Sequence, residues 1–180
     1  MLRRLVRLAA LGGVAGLAAA MLPACASVDL RESLVVTDVL SGWYDNGIKD
    51  GKVHLVPSIT FRLKNVGAEP VRSVEITAAF WQQGRDGEWD SVLLKAIGGD
   101  GLEAGGSTDA ITARLGVGYT LEGARADFFT HSQYLDVTAK LFAKRGGRIV
   151  GLGEFMLDRR IIPNARTDRA TGSGKDAGRP

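Results

Sequence analysis

Two histidines, His54 and His131, and a single cysteine, Cys25, are the only imidazole and thiol groups in this 180-residue chain. Neither histidine belongs to a His-Glu-x-x-His pattern, and there is no nucleophile elbow, Walker loop or paired-cysteine zinc spacing. A catalytic or metal role would need carboxylates that the sequence does not set beside them, so both read as surface or satisfied histidines. Gly116-Val117-Gly118 and Gly151-Leu152-Gly153 are fragments of phosphate-binding loops that lack the completing strand and helix, and close strand packing or a bulge explains them better. Asp100, Glu103 and Asp109 offer the oxygen ligands calcium takes, but their spacing is not that of an EF-hand and a solvated acidic loop is the simpler reading. The remaining candidates are aromatic. Trp43 and Tyr44 precede Asp45-Asn46-Gly47, while Trp81 and Trp89 flank a turn at 84–88. These four side chains make up the candidate interaction surface, with a cross-strand Trp81/Trp89 pair that stabilises the sheet as the structural alternative. No catalytic residue, metal ligand or cofactor site emerges, and the expectation is a protein that is not an enzyme.

Cys25 closes an apolar leader. Arg3, Arg4 and Arg7 precede a run of Leu, Ala, Gly, Val and Met over residues 8–22, which is the pattern of an export signal. The run ends in Leu22-Pro23-Ala24-Cys25, which resembles the lipobox of bacterial lipoprotein signal peptides. That resemblance implies cleavage between Ala24 and Cys25, with diacylglycerol and palmitate on the Cys25 end. A plain signal cut beside Ala24-Cys25-Ala26 and an uncleaved anchor over residues 8–26 are the alternatives. The cysteine count agrees with lipidation, because a lone thiol forms no internal disulfide and is otherwise hard to rationalise in an exported chain. Acyl chains contribute about 0.8 kcal/mol per buried CH₂, enough for a multiply acylated cysteine to hold a domain on a membrane without a spanning helix.

The leader also distorts the charge balance. Without Arg3, Arg4 and Arg7 the chain has 20 basic and 20 acidic residues, and residues 26–158 carry 14 basic against 18 acidic. A nucleic-acid reader needs a basic face on its folded domain, and none is evident. The length leaves room for one modest domain plus extensions, which excludes a TIM barrel or a two-domain enzyme.

The elements that must position these residues are strands. Ile59, Phe61 and Leu63 alternate with Thr60, Arg62 and Lys64; Val74, Ile76, Ala78 and Phe80 alternate with Ser73, Glu75, Thr77 and Ala79; Leu135, Val137, Ala139 and Leu141 repeat the pattern. Gly and Pro punctuation at Asn46-Gly47, Asp50-Gly51, 66–70, Asp86-Gly87 and Gly146-Gly147 separates the runs. The expected strands are 33–41, 52–65, 71–82, 89–96, 109–115, 134–143 and 148–161, with Pro57 at an edge or bulge and one short helix or irregular crossover over 121–132. The fold class is all-β, an antiparallel immunoglobulin-like sandwich of about seven strands. Residues 98–108, with several glycines, read as a flexible loop. The domain plan is a signal over 1–24, the lipidated cysteine and a short spacer over 25–32, the sandwich over 33–162, and a disordered polar tail over 163–180.

Ser58 to Val71, followed by Val74-Glu75-Ile76-Thr77-Ala78-Ala79-Phe80-Trp81, resembles the hairpin of bacterial FxLYD-type and related immunoglobulin-like modules. The likeness covers residues 52–97 and implies an extracytoplasmic sandwich with no inherited chemistry. Asn65 and Gly67 tolerate positive φ and Pro70 fixes the exit of the turn, which brings the two strands into antiparallel register. Taken together, the expected protein is a lipid-anchored component of the cell envelope, on the periplasmic face of a membrane, acting as a non-enzymatic module that contacts another envelope protein. The alternative is a periplasmic carrier holding a small apolar ligand between its sheets.

Overall fold

The computed structural model describes residues 28–164. Ala24, Cys25 and the tail from 165 onward lie outside the described residues. Period-two alternation produces nine strands in chain order: β1 (Leu34–Lys49), β2 (Lys52–Asn65), β3 (Val74–Gln82), β4 (Asp90–Ile97), β5 (Ile111–Arg114), β6 (Tyr119–Leu121), β7 (Val137–Arg145), β8 (Arg148–Met156) and β9 (Ile161–Ile162). They form an all-β antiparallel sandwich. The first sheet runs β5-β2-β1-β9, with β6 sharing the β5 edge of β2, and the second runs β4-β3-β7-β8. Among the described residues only the short β1/β9 pair is parallel. Phe61, Leu63, Ile76, Phe80 and Leu141 fill the space between the sheets with no exposed surface, while Lys64 faces solvent. Each such side chain contributes roughly 1.5–3 kcal/mol by leaving water.

Several expectations are corrected by local physics. The first strand does not stop at 41. It runs on through Trp43 and Tyr44, because Asp45-Asn46-Gly47 is a bulge, with the Gly47 amide donating to Asp45 Oδ1 at 2.9 Å and the register slipping between Asp45 and Ile48. The hairpin turn is Asp50-Gly51, with Asp50 at φ +52. The expected strand over 148–161 is divided in two: β8 stays in the second sheet, Leu157 is buried, and β9 crosses to the first sheet beside Trp43 and Tyr44. Pro57 lies inside a central strand rather than at an edge. It sits in the gap between the segment of β2 paired with β5 (Ser58 to Phe61) and the segment paired with β6 (Val53 to Leu55), so no neighbouring strand requires the amide that proline lacks. The crossover over 121–132 contains a 3₁₀ helix, Arg125–Thr130.

One pole of the sandwich is organised by Asn65. Its side-chain amide donates to the carbonyls of Glu69 and Leu102, both at 2.9 Å, and its Oδ1 accepts from the Gly67 amide at 3.0 Å. Neither Asn65 nor Gly67 uses the positive φ it could tolerate; Ser73 takes one, at +55°. Gly67 is needed for room, since a Cβ there would lie 2.9 Å from Ser33 Oγ. The loop over 98–108 is pinned rather than flexible. Leu102 bridges to Val71, Ser107 bridges to Lys64, and Gly105 and Gly106 bond to the Asn65 backbone. Residues 28–32, expected to lie in a spacer, belong to the folded unit: Val28 packs on the core and a helical turn, α1 (Leu30–Ser33), buries Leu30 beneath an Asp29 N-cap.

Candidate interaction surface

The four aromatic candidates separate into two environments. Along β1 the inward positions are Ser41, Trp43 and Asp45, all buried. Trp43 is 0% exposed and is the centre of a ring cluster, with Phe128 at 4.8 Å, Tyr119 at 5.4 Å, Tyr134 at 5.6 Å and Trp89 at 6.4 Å between centroids. Trp89 leans inward onto Trp43 and onto Tyr119 at 5.7 Å, not across the sheet onto Trp81. Trp43 is therefore part of the interior, which corrects its assignment to an interaction surface, and the half-buried Trp89 packs against it instead of forming the Trp81/Trp89 pair. The reason is the longer β1: once the strand continues past 41, period two turns Trp43 inward.

Polar groups line the rim of this cluster. Arg125 donates to the buried Asp45 carboxylate at 2.5 Å, and Arg159 makes a two-pronged contact with Asp136 at 2.9 and 2.6 Å. Arg159 holds the Asp136 carboxyl below the ordinary carboxylate range, chiefly by hydrogen bonding. Tyr134 donates to Asp136 at 3.2 Å. Burial, and then the Asp136 charge, push the Tyr134 phenol up to about 12. The buried Trp43 indole N–H has no partner of hydrogen-bonding geometry, although it acts on the Tyr134 phenol in the opposite, lowering direction. The space left between Tyr119, Phe128 and Tyr134 is about 20 Å³, room for no more than a water.

Tyr44 and Trp81 face outward, on different sheets. The Arg114 guanidinium lies 3.2 Å above the Tyr44 ring. Tyr44 pairs with Val56, and Arg114 with Ser58, so their stack spans β2 and closes that face over two buried positions. Trp81 lies on the outer face of the second sheet with Lys140 Nζ 4.9 Å above its ring, and Lys140 also meets Glu154 at 2.9 Å. Pairing sets Trp81 beside Thr138 and Met156, and Thr77 between Leu93 and Phe142. Opposite Phe142 stands Gly151, where a Cβ would meet nothing. Leu93 is 56% exposed and Met156 63%. Together these residues make an apolar face crossed by the ion pairs Lys140/Glu154 and Lys144/Glu75. Sequence reasoning missed Leu93, Phe142 and Met156; their signal was apolar residues at the outward phase of strands whose inward phase was already apolar.

The remaining polar candidates are scattered. His54 Nδ1 is 3.2 Å from Asn46 Nδ2, and His131 Nδ1 accepts from the Gln133 amide at 3.2 Å. Among the described residues no group of three or more His, Cys, Asp or Glu side chains is placed to hold a metal, so Asp100, Glu103 and Asp109 do not form such a set. Gly118 has the packing role expected of it, since a Cβ there would fall 2.1 Å from the Leu55 carbonyl oxygen. The Gly151-Leu152-Gly153 segment marks the bulge at which β8 slips against β7. Among the described residues no helix is long and apolar enough to cross a membrane. No family model matches the chain, and no curated protein matches it significantly.

Proposed function

We propose that the chain is a lipid-anchored envelope protein whose sandwich binds another extracytoplasmic protein without catalysing a reaction. The observation that carries the reading is the uncovered apolar face of β4-β3-β7-β8, where Trp81, Leu93, Phe142 and Met156 share one surface. Isolated exposed apolar residues are ordinary, but four on one sheet face, Trp81 and Met156 in one row and Leu93 and Phe142 in another with the Lys140/Glu154 pair between the rows, fit an interface whose ion pair supplies register. The leader ending in Leu22-Pro23-Ala24-Cys25 supports the anchor, and the 52–97 hairpin's likeness to extracytoplasmic modules supports the compartment. A carrier would have to part the rings around Trp43, where the free space is about 20 Å³.

Crosslinking in intact cells tests the reading. The wild-type chain is expected to yield a discrete adduct that Leu93→Asp combined with Met156→Glu abolishes, with the unfolding midpoint unchanged. An adduct that survives this double substitution, in a correctly folded chain, overturns the interface. Intact mass of the mature N-terminus tests the anchor: Cys25 should carry lipid, and Cys25→Ser should release the protein or leave a precursor.

A further inference from the structure

β4 is an open edge of the second sheet: among the described residues it pairs with β3 and with no other strand. The remaining sheet edges carry features that hinder further pairing. β8 is bulged at Gly151-Leu152-Gly153, β1 slips register between Thr37 and Leu40 with Asp38 at φ +52, and β5, β6 and β9 are short. β4 has none of these. From Asp90 to Lys95 it keeps one register against β3, with no proline and no bulge. Its inward residues Val92 and Leu94 are only half-buried, whereas Val137, Ala139 and Leu141 of the central β7 are fully buried, so apolar surface along this edge lacks a cover. The Ser91 amide donates to the neighbouring Asp90 carboxylate at 2.8 Å and not to β3. Backbone groups alternate sides along a strand, so those of Leu93 and Lys95 face the open edge together with those of Ser91.

We propose that β4 pairs antiparallel with β4 of a second copy of this chain, joining the two second sheets edge to edge. The sequence around Leu93 is self-complementary. With a two-fold axis through Leu93, normal to the sheet, Leu93 meets the partner's Leu93, Val92 meets the partner's Leu94 and Ser91 meets the partner's Lys95. Inward residues then face inward ones and outward residues face outward ones, as a continuous pleat requires. No like charges stand opposite each other. Moving the axis to Val92 or Leu94 sets Asp90 against the partner's Leu94 or Leu93 against the partner's Lys95, so Leu93 is the position that matches polarity throughout. Leu93 also shares the outer row of Phe142, so the pairing makes that row continuous across both copies and offers a partner of the outer face two linked surfaces. The pairing itself depends neither on that partner nor on the lipid anchor.

Sedimentation of the full chain in detergent tests it, with Cys25→Ser present so that any introduced cysteine is the sole thiol. The chain should sediment at twice its own mass, which also tells this association from an adduct with another protein. Ser91→Lys sets a second lysine opposite Lys95 at both ends of the pairing and should weaken association at least about fivefold, whereas Ser91→Glu should tighten it by a similar factor. Far-ultraviolet circular dichroism should be unchanged in both. Under mild oxidation by copper phenanthroline, Leu93→Cys should yield a disulfide-linked dimer, because Cα atoms of a hydrogen-bonded antiparallel pair lie about 5.5 Å apart, within disulfide reach. The exposed Asp86→Cys, outside the strand, should not. A chain that stays monomeric at every concentration reached overturns the proposal. So does a dimer that responds alike to Ser91→Lys and Ser91→Glu, or one in which Asp86→Cys crosslinks as readily as Leu93→Cys.

Discussion

The two sheets present different outer faces. On the first, the outward positions Val56 and Ser58 are buried because Tyr44 and Arg114 stack over them from the strands on either side. On the second, Trp81 receives only a lysine, while Leu93 and Met156 keep more than half of their surface exposed. An aromatic side chain facing outward is thus no sign of an interface by itself: Tyr44 is part of a cover that this chain supplies internally. What distinguishes Leu93 and Met156 from Val56 is that no side chain from a flanking strand covers them to the same extent.

The sharpest way to break this comparison begins in the interior. Trp43→Ala should destabilise the fold by about 3–5 kcal/mol in chemical denaturation, the cost of emptying a closed aromatic site. A small loss would mean that Trp43 is not the hub of its cluster. Asn65→Ala should follow at roughly 2–3 kcal/mol, since it orphans the Glu69 carbonyl and the Gly67 amide and leaves the Leu102 carbonyl with only its bond from the Val71 amide. The same variant should speed amide exchange in residues 98–108, which a merely local defect would leave protected.

A third prediction concerns pH. Burial, and then the Asp136 charge, push the Tyr134 phenol up to about 12 in the folded protein, above the ordinary phenol value of about 10. An acid whose folded pKa is raised stabilises the fold fully below its unfolded pKa and less as pH climbs through the folded one. The urea midpoint should therefore fall between about pH 10 and 12, and Tyr134→Phe should flatten that part of the profile. Asp136 has the opposite sign. Its lowered pKa gives stability present above the ordinary carboxylate range and lost as pH falls through the folded value, and Arg159→Ala should remove that dependence. The smallest stability effects belong to the outer face: Leu93→Ser and Met156→Ser should each stay within about 0.5 kcal/mol. Stability losses as large as those in the interior would show that the face is already covered, and the contrast between the sheets would disappear.

Much of the sandwich was legible because inward positions alternate strictly. Phe61, Ile76, Phe80, Val137 and Leu141 are buried as the period-two reading requires. The reading failed where a polar residue served an inward position. Ser41 and Asp45 flank Trp43 on the inner side, so β1 looked finished at a turn-like Asp-Asn-Gly that the structure uses as a bulge. Asn65 was misjudged similarly: asparagine near glycine suggests backbone freedom, whereas here its side chain joins two backbone groups of its own turn, at Gly67 and Glu69, to the distant Leu102 carbonyl. The outer apolar face was hidden for a different reason. Leu93 and Phe142 reach one row only because both pair with Thr77 from strands far apart in sequence, which no local pattern records.

The parallel docking of β9 beside β1 fixes how the molecule would carry mechanical load. β9 pairs at Trp43 and Tyr44 and runs in the direction of β1, with the Trp43 amide also bonded to the Arg160 carbonyl at 2.9 Å. Tension between an anchored N-terminal end and the end beyond Ile162 is directed along β1, perpendicular to its ladder bonds. Those bonds are then strained together in shear instead of being unzipped one at a time. A pull applied between the 83–88 turn and the N-terminal end lacks that alignment, so the same domain should yield at different forces in the two directions.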